Sequence, residues 1–273
     1  PTINKVIEKI LYEQIEGFTS RYKQYDELQY GYRNHYGTQD ALCKLLTIVS
    51  KALDKKKYVV AVFLDISKAF DSLNHDMLLF KLENMGIRGI ALQLITQYLM
   101  NRYQFVKISD AVSLACLILK GVPQGSNLGP LLFNMMLYDL KFVQTFSTII
   151  KFADDIVLIL ECDELKDCAE SVGRDIKKIN EYYMDNGLKI NLNKSKYMTF
   201  GFKSFQNLDD FMKESQIEKV DQMTYLGICL DSGLKMNNHA NKLVNKLSQS
   251  VNAMSIIRHY LPDYSMFQFY NAF

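Results

Sequence analysis

Residues Ser147–Leu160 read STIIKFADDIVLIL. β-Branched and aromatic residues crowd both sides of Asp154 and Asp155, the pattern of two buried strands joined at a two-acid turn. Neighbouring carboxylates repel, and taking either out of water is costly unless something compensates. Asp is common in tight turns, so the doublet by itself fits an ordinary hairpin as well as a site for cations.

Working outward, the run YVVAVFLDI (Tyr58–Ile66) also closes on an acid, Asp65. It is too continuously apolar for an exposed edge strand. Three carboxylates at the ends and turns of one sheet can converge on hard divalent cations, which take oxygen ligands. Helical periodicity marks PTINKVIEKILYEQIEGFTSRY and GTQDALCKLLTIVSKALDKK, the latter with Thr38 as N-cap. LNHDMLLFKLENMG, with Gly86 as its stop, and RGIALQLITQYLMN are helices as well. RYQFVKI reads as a strand entering a hairpin, and LLFNMMLYDLKFV as one buried helix starting near Pro130. DELKDCAESVGRDIKKINEYYMDNG is a long amphipathic helix ending at Gly187. Short strands follow in KSKYMTFG and MTYLGICLD, and the last stretch is helical. Mixed elements with apparent hairpins give an α+β fold on an antiparallel sheet.

Composition excludes several classes. The 273 residues are 48% hydrophobic and 12% aromatic, as a globular core requires. No run reaches the roughly 18 apolar residues of a membrane span, and PTINKVIEKILYEQ is too charged for a signal peptide. The five cysteines show no paired spacing, which points to buried thiols in a reducing compartment, and none falls at zinc-ligand spacing with the four histidines. A net charge of +2 announces no nucleic-acid partner. Its distribution is less neutral: Ser232–Pro262 holds Lys235, Lys242, Lys246 and Arg258 with no acid, and Lys55–Lys57 form a basic knot. Such runs are solvated faces or phosphate contacts.

In order along the chain, FLDISKAFDSLNHDMLLFKL, GVPQGSNLGPLLFNMMLYDL, KFADDIVLIL, NGLKINLNKSKYMTFG and YLGICLD resemble motifs A to E of reverse transcriptases. The likeness is to those of non-LTR (LINE-type) retrotransposons of the jockey-like kind, and QYGYRNHYGTQDAL resembles their upstream fingers motif. The resemblance implies a right-hand polymerase: partial fingers over 1–57, a palm with inserted fingers elements over 58–232, and the start of a truncated thumb over 233–273.

It also implies a role for each matched position. Asp65 and Asp154 are metal ligands, with Asp155 as a weaker partner and the Ile66 carbonyl facing the nucleotide-bound ion. The cofactor is a pair of Mg²⁺ ions, with Mn²⁺ as substitute. Phe70 stands where the family has a steric gate that rejects a ribose 2′-hydroxyl; outside the motif it reads as a core aromatic. Gln124 and Gly125 contact the incoming nucleotide or form a rigid loop, and Lys194 protonates the pyrophosphate leaving group or neutralises its charge. Tyr225, Leu226 and Gly227 resemble a primer grip, while Lys242 and Lys246, four apart on a helix, reach backbone phosphates. The implied partners are an RNA template, a DNA primer and deoxynucleoside triphosphates, in the nucleus or cytoplasm.

Departures from the family pattern temper this reading. The Arg-Pro-Ile segment expected just before Pro1 is missing, which leaves Lys5 and Arg33 as fingers candidates facing the triphosphate. No endonuclease domain or Cys/His knuckle accompanies the motifs. The expectation is a piece of a longer polyprotein, either a working RNA-directed DNA polymerase or a silent nucleic-acid-binding remnant. An RNA-dependent RNA polymerase is a third reading, against which Phe70 argues.

Overall fold

The computed structural model describes residues 2–202 and 204–272, in two compact units that divide between Lys219 and Val220. The first unit begins with helices α1 (Thr2–Arg21) and α2 (Thr38–Asp54), strand β1 (Tyr58–Leu64), and helices α3 (His75–Asn84) and α4 (Gly89–Leu99). Four two-residue strands follow: β2 (Tyr103–Gln104), β3 (Lys107–Ile108), β4 (Ala111–Val112) and β5 (Cys116–Leu117). Next come α5 (Leu128–Met136), β6 (Thr148–Phe152), β7 (Asp155–Cys162), α6 (Leu165–Asp185), β8 (Lys196–Phe200), α7 (Gln206–Glu214) and β9 (Glu218–Lys219).

The main sheet has the order β6-β7-β1-β8-β9, antiparallel except for the β8–β9 pair. β1 lies at its centre, which is why its sequence is apolar on both faces. Val60, Val62 and Leu64 join the large core cluster with residues of α3, α5 and α6. Val59, Ala61 and Phe63 are buried too, and α2, in contact with β1, β6 and β7, covers that side with Leu45, Val49 and Ala52. The register aligns Leu64 with Ile156, so the next residue on each strand, Asp65 and Asp155, emerges at one margin of the sheet.

Several local expectations change. Thr38 is the first helical residue of α2; Gly37 occupies the cap, and the Asp40 carboxylate accepts its N–H at 2.7 Å. The apolar run after Pro130 is not one helix. α5 ends at Met136, whose carbonyl accepts from Lys81 Nζ at 2.7 Å, and a 3-10 turn over Tyr138–Phe142 follows. Helix α7 is a further element: Leu208, Phe211 and Met212 stand at helical spacing, and Leu208 and Met212 are fully buried. Of the cysteines, Cys43 and Cys116 are exposed, while Cys162, Cys168 and Cys229 are buried.

The second unit holds the hairpin β10 (Gln222–Tyr225) and β11 (Ile228–Asp231), then α8 (Asn237–Ile257) and α9 (Asp263–Ala272). The two-residue turn at Leu226 and Gly227 takes left-handed φ at both positions, 46° and 84°. That is the geometry a tight hairpin prefers, and Leu is an unusual residue to accept it. No residue of α8 is buried. Among the described residues, no helix is long and apolar enough to cross a membrane.

Candidate active site

Phe152 pairs with Asp155, so Ala153 and Asp154 form the two-residue turn of the β6–β7 hairpin. Ala153 has φ 57°, a left-handed conformation that costs a side-chain-bearing residue energy. Asp154 is half-buried and Asp155 exposed. The Asp155 carboxyl is nevertheless raised above the ordinary aspartate range. Partial loss of water is the first cause, and the charges of Asp154 and Asp65 add to it. The Asp155 carboxyl thus lies within electrostatic reach of both other aspartates.

Asp65 is presented by its backbone. Its N–H donates to Ser195 Oγ at 3.2 Å, and its carbonyl accepts from Asn191 N–H at 2.8 Å. With both main-chain groups occupied by the turn before β8, the carboxylate is the group left to act. Ile66 pairs with Ile190, flanked by the Asn191–Asp65 and Ser67–Lys189 hydrogen bonds. A central residue in such a pair turns its own N–H and C=O away from the partner strand, as the expected role of the Ile66 carbonyl requires. Lys194 is exposed on the same Asn191–Ser195 turn.

Among the described residues, no group of three His, Cys, Asp or Glu side chains is gathered closely enough to hold a metal by itself. The donor chemistry still fits a hard cation. Mg²⁺ is commonly held by one or two carboxylates and completed by substrate phosphates and water rather than caged by protein.

The glycine-rich segment docks against the turn after Asp65. Val122 N–H donates to the Phe70 carbonyl at 2.9 Å, Gly121 N–H to Leu73 at 2.8 Å, and Gln124 Nε2 to Asp71 at 3.1 Å. Gly121 has φ 85°, and a Cβ there would meet the Asp71 backbone at 2.8 Å. Gly125, with φ 72°, lies in open space. Asp71, Gly121, Val122 and Gln124, together with Lys68, Arg102 and Lys120, line an open groove of about 650 Å³. Phe70 is half-buried, its ring 4.8 Å from Phe133 and edge-on to Tyr32 at 6.1 Å. Phe70 thus packs as a core aromatic does, while remaining partly exposed.

The fingers candidates are placed differently. Lys5 is exposed on α1, and its carbonyl accepts from Asn127 Nδ2 at 3.4 Å, beside the glycine-rich segment. Arg33 is engaged elsewhere. One guanidinium nitrogen donates to the carbonyls of Asp26 and Gln29, and the group sits 4.9 Å and 4.3 Å from the Tyr25 and Tyr36 rings. In the second unit, Tyr225 is buried, Leu226 half-buried and Gly227 exposed. Lys242 and Lys246 are both exposed on α8, Lys242 with its amine 3.8 Å from Cys229 Sγ.

Sequence reasoning missed the supports behind the acidic turn. Lys151, 1% exposed, forms an ion pair with buried Asp26. Gln29 bonds Gly31 and Ala153, and Asn134 donates to the Gly31 carbonyl at 2.8 Å. A lysine inside an otherwise apolar strand was the available signal, because a buried charge needs a partner.

A family model described as reverse transcriptase (RNA-dependent DNA polymerase) matches residues 1–230, and the chain belongs to that family. Among curated relatives, it is 27% identical over 255 residues to the probable RNA-directed DNA polymerase from transposon X-element of Drosophila melanogaster. It is 25% identical over 262 residues to the RNA-directed DNA polymerase from mobile element jockey of Drosophila funebris. These matches take in 92% and 93% of this chain but 28% of each relative. Of solved structures, apo telomerase from Candida tropicalis superposes with a TM-score of 0.57 at 13% identity, over 83% of this chain and 40% of that one. At that identity the likeness speaks for the fold alone.

Proposed function

We propose that this chain is the polymerase part of a non-LTR retrotransposon protein, catalysing RNA-templated DNA synthesis. The observation that carries the proposal is the placement of Asp65, Asp154 and Asp155 at one sheet margin, in a chain of the reverse transcriptase family. On this reading residues 1–57 are partial fingers, 58–232 the palm with inserted fingers elements, and 233–273 the start of the thumb.

A primer 3′-hydroxyl would attack the α-phosphate of a deoxynucleoside triphosphate, and pyrophosphate would leave. Two Mg²⁺ ions, or Mn²⁺ in their place, would supply activation of the hydroxyl and stabilisation of the departing oxygen. Asp65 and Asp154 would hold them, aided by Asp155 and the Ile66 carbonyl. Lys194, on the turn that grips the Asp65 backbone, would donate a proton to or neutralise pyrophosphate. Phe70, backed by Phe133 and Tyr32, would lie beneath the sugar; Gln124, Gly125 and Lys5 would border the nucleotide. Arg33 would act through whichever donors its loop contacts leave over. Tyr225, Leu226 and Gly227 would hold the primer end, with Lys242 and Lys246 on duplex phosphates. An endonuclease domain of the same polyprotein, and a nuclear or cytoplasmic ribonucleoprotein, would complete the setting.

Primer extension on an RNA template with Mg²⁺ tests this, comparing deoxyribonucleotides with ribonucleotides. DNA products from the natural sequence, and a raised share of ribonucleotide in Phe70→Ala, are expected. A silent nucleic-acid-binding remnant would bind primer–template and extend nothing, and an RNA polymerase would favour ribonucleotides from the start.

A further inference from the structure

The tip of a hairpin is usually its most exposed part, yet Ala153, the first residue of the acidic turn, is only 4% exposed. Its N–H is buried with it and needs a partner. Gln29, 3% exposed and 124 positions away, provides one: its Oε1 accepts from Ala153 N–H at 3.1 Å and from Gly31 N–H at 2.9 Å. We infer that Gln29 is a positioning residue for Asp154 and Asp155, holding the turn from which both carboxylates project.

The bracket has little room to shift. Leu28 and Tyr30, either side of Gln29, both bond Lys151 across the edge of β6, each at 2.8 Å. The buried Asp26–Lys151 ion pair closes the same segment from below. Gly31 lies so close to the turn that a Cβ on it would fall 2.2 Å from the Ala153 nitrogen. Asn134, from α5, holds the Gly31 carbonyl. A left-handed residue such as Ala153 persists only where its surroundings over-determine it, and these contacts do so. The side-chain oxygen of Gln29 bonds both Gly31 in the strap and Ala153 in the turn.

The inference rests on the proposed polymerase reading for its consequence, but not for its geometry. Three proteins are compared: the natural sequence, Gln29→Leu, which loses the acceptor, and Gln29→Glu, which keeps one. Each is measured for amide hydrogen exchange, Mn²⁺ binding and single-nucleotide extension. Gln29→Leu should lose protection at Gly31 and Ala153 while β1 and β7 stay protected. It should bind Mn²⁺ more weakly and extend about a hundredfold more slowly, the scale expected when a reacting group is displaced by an ångström. Gln29→Glu should restore the local protection and much of the extension rate.

Unchanged exchange at Ala153 in Gln29→Leu, or an unchanged extension rate with protection lost, would overturn the inference. So would loss of protection across the whole sheet without rescue by Gln29→Glu, which would make Gln29 a general fold residue. If the natural sequence extends nothing, the polymerase reading has failed by itself. Exchange and Mn²⁺ binding then still decide whether Gln29 positions the acidic turn.

Discussion

Two hairpins of this chain have similar strand composition and opposite surroundings. In β6–β7, Ile150 and Ile156–Leu160 are almost wholly buried, and the turn is gripped from outside by Gln29 and Gly31. In the ribbon from β2 to β5, Tyr103, Phe105, Val106, Ile108, Leu114 and Leu117 are exposed, and the strands pair only with one another. β-Branched and aromatic residues suffice to pair strands in both places. What separates them is a third layer: helices and a strap segment that the first hairpin has and the second lacks. A reacting turn needs that layer, since isolated two-stranded ribbons are marginally stable and cannot hold carboxylates to a fraction of an ångström.

Substitutions can break this contrast, beginning with the most severe. Lys151→Met leaves Asp26 buried without its cation, so chemical denaturation should show a loss of about 3–5 kcal/mol. In the ribbon, Lys107→Met should change stability by no more than about 0.5 kcal/mol, as exposed positions generally do. A similar loss at both sites would mean the two hairpins are equally braced.

Asp155→Asn should act in the opposite direction. Its raised carboxyl means the folded protein holds that proton more tightly than the unfolded chain does. The ionised form therefore costs stability above the folded-state pKa, and the cost fades as pH falls through it. At neutral pH without metal, Asp155→Asn should melt slightly higher than the natural sequence, by a few degrees at most because water screens an exposed charge. At a pH where the carboxyl is protonated the difference should vanish. Added Mg²⁺ should raise the melting temperature of the natural sequence more than that of the variant. Leu114→Ser, at the most exposed large hydrophobic of the ribbon, 88%, should leave melting unchanged.

Much of this was legible from residues alone. A continuously apolar Tyr58–Leu64 meant a central strand, and the paired apolar runs about Asp154 meant a hairpin, because burial on both faces and a period of two leave direct marks. The motifs then placed Asp65 against the doublet. Less visible were contacts between residues distant in sequence and chemically ordinary. Gln29, Gly31 and Asn134 have no periodic signature; their roles exist only once residues 26–31 lie along β6. The Asp26–Lys151 pair left a half-signal, a charge where none should be buried, without saying which acid answers it. Thr38 misled for a related reason, since Asp40 reaches back to Gly37 and claims the cap one residue earlier.

The central claim is that the acidic turn and Asp65 form the reacting centre. Its most direct test is incorporation of one complementary deoxynucleotide onto a DNA primer annealed to RNA, comparing the natural sequence with Asp154→Asn. Asp154→Asn changes one carboxylate oxygen to an amide on a half-buried turn, so melting should hardly move. The account predicts Mg²⁺-dependent incorporation by the natural sequence and its loss, by at least about a thousandfold, in a variant that melts alike. Incorporation by Asp154→Asn at the natural rate would contradict it.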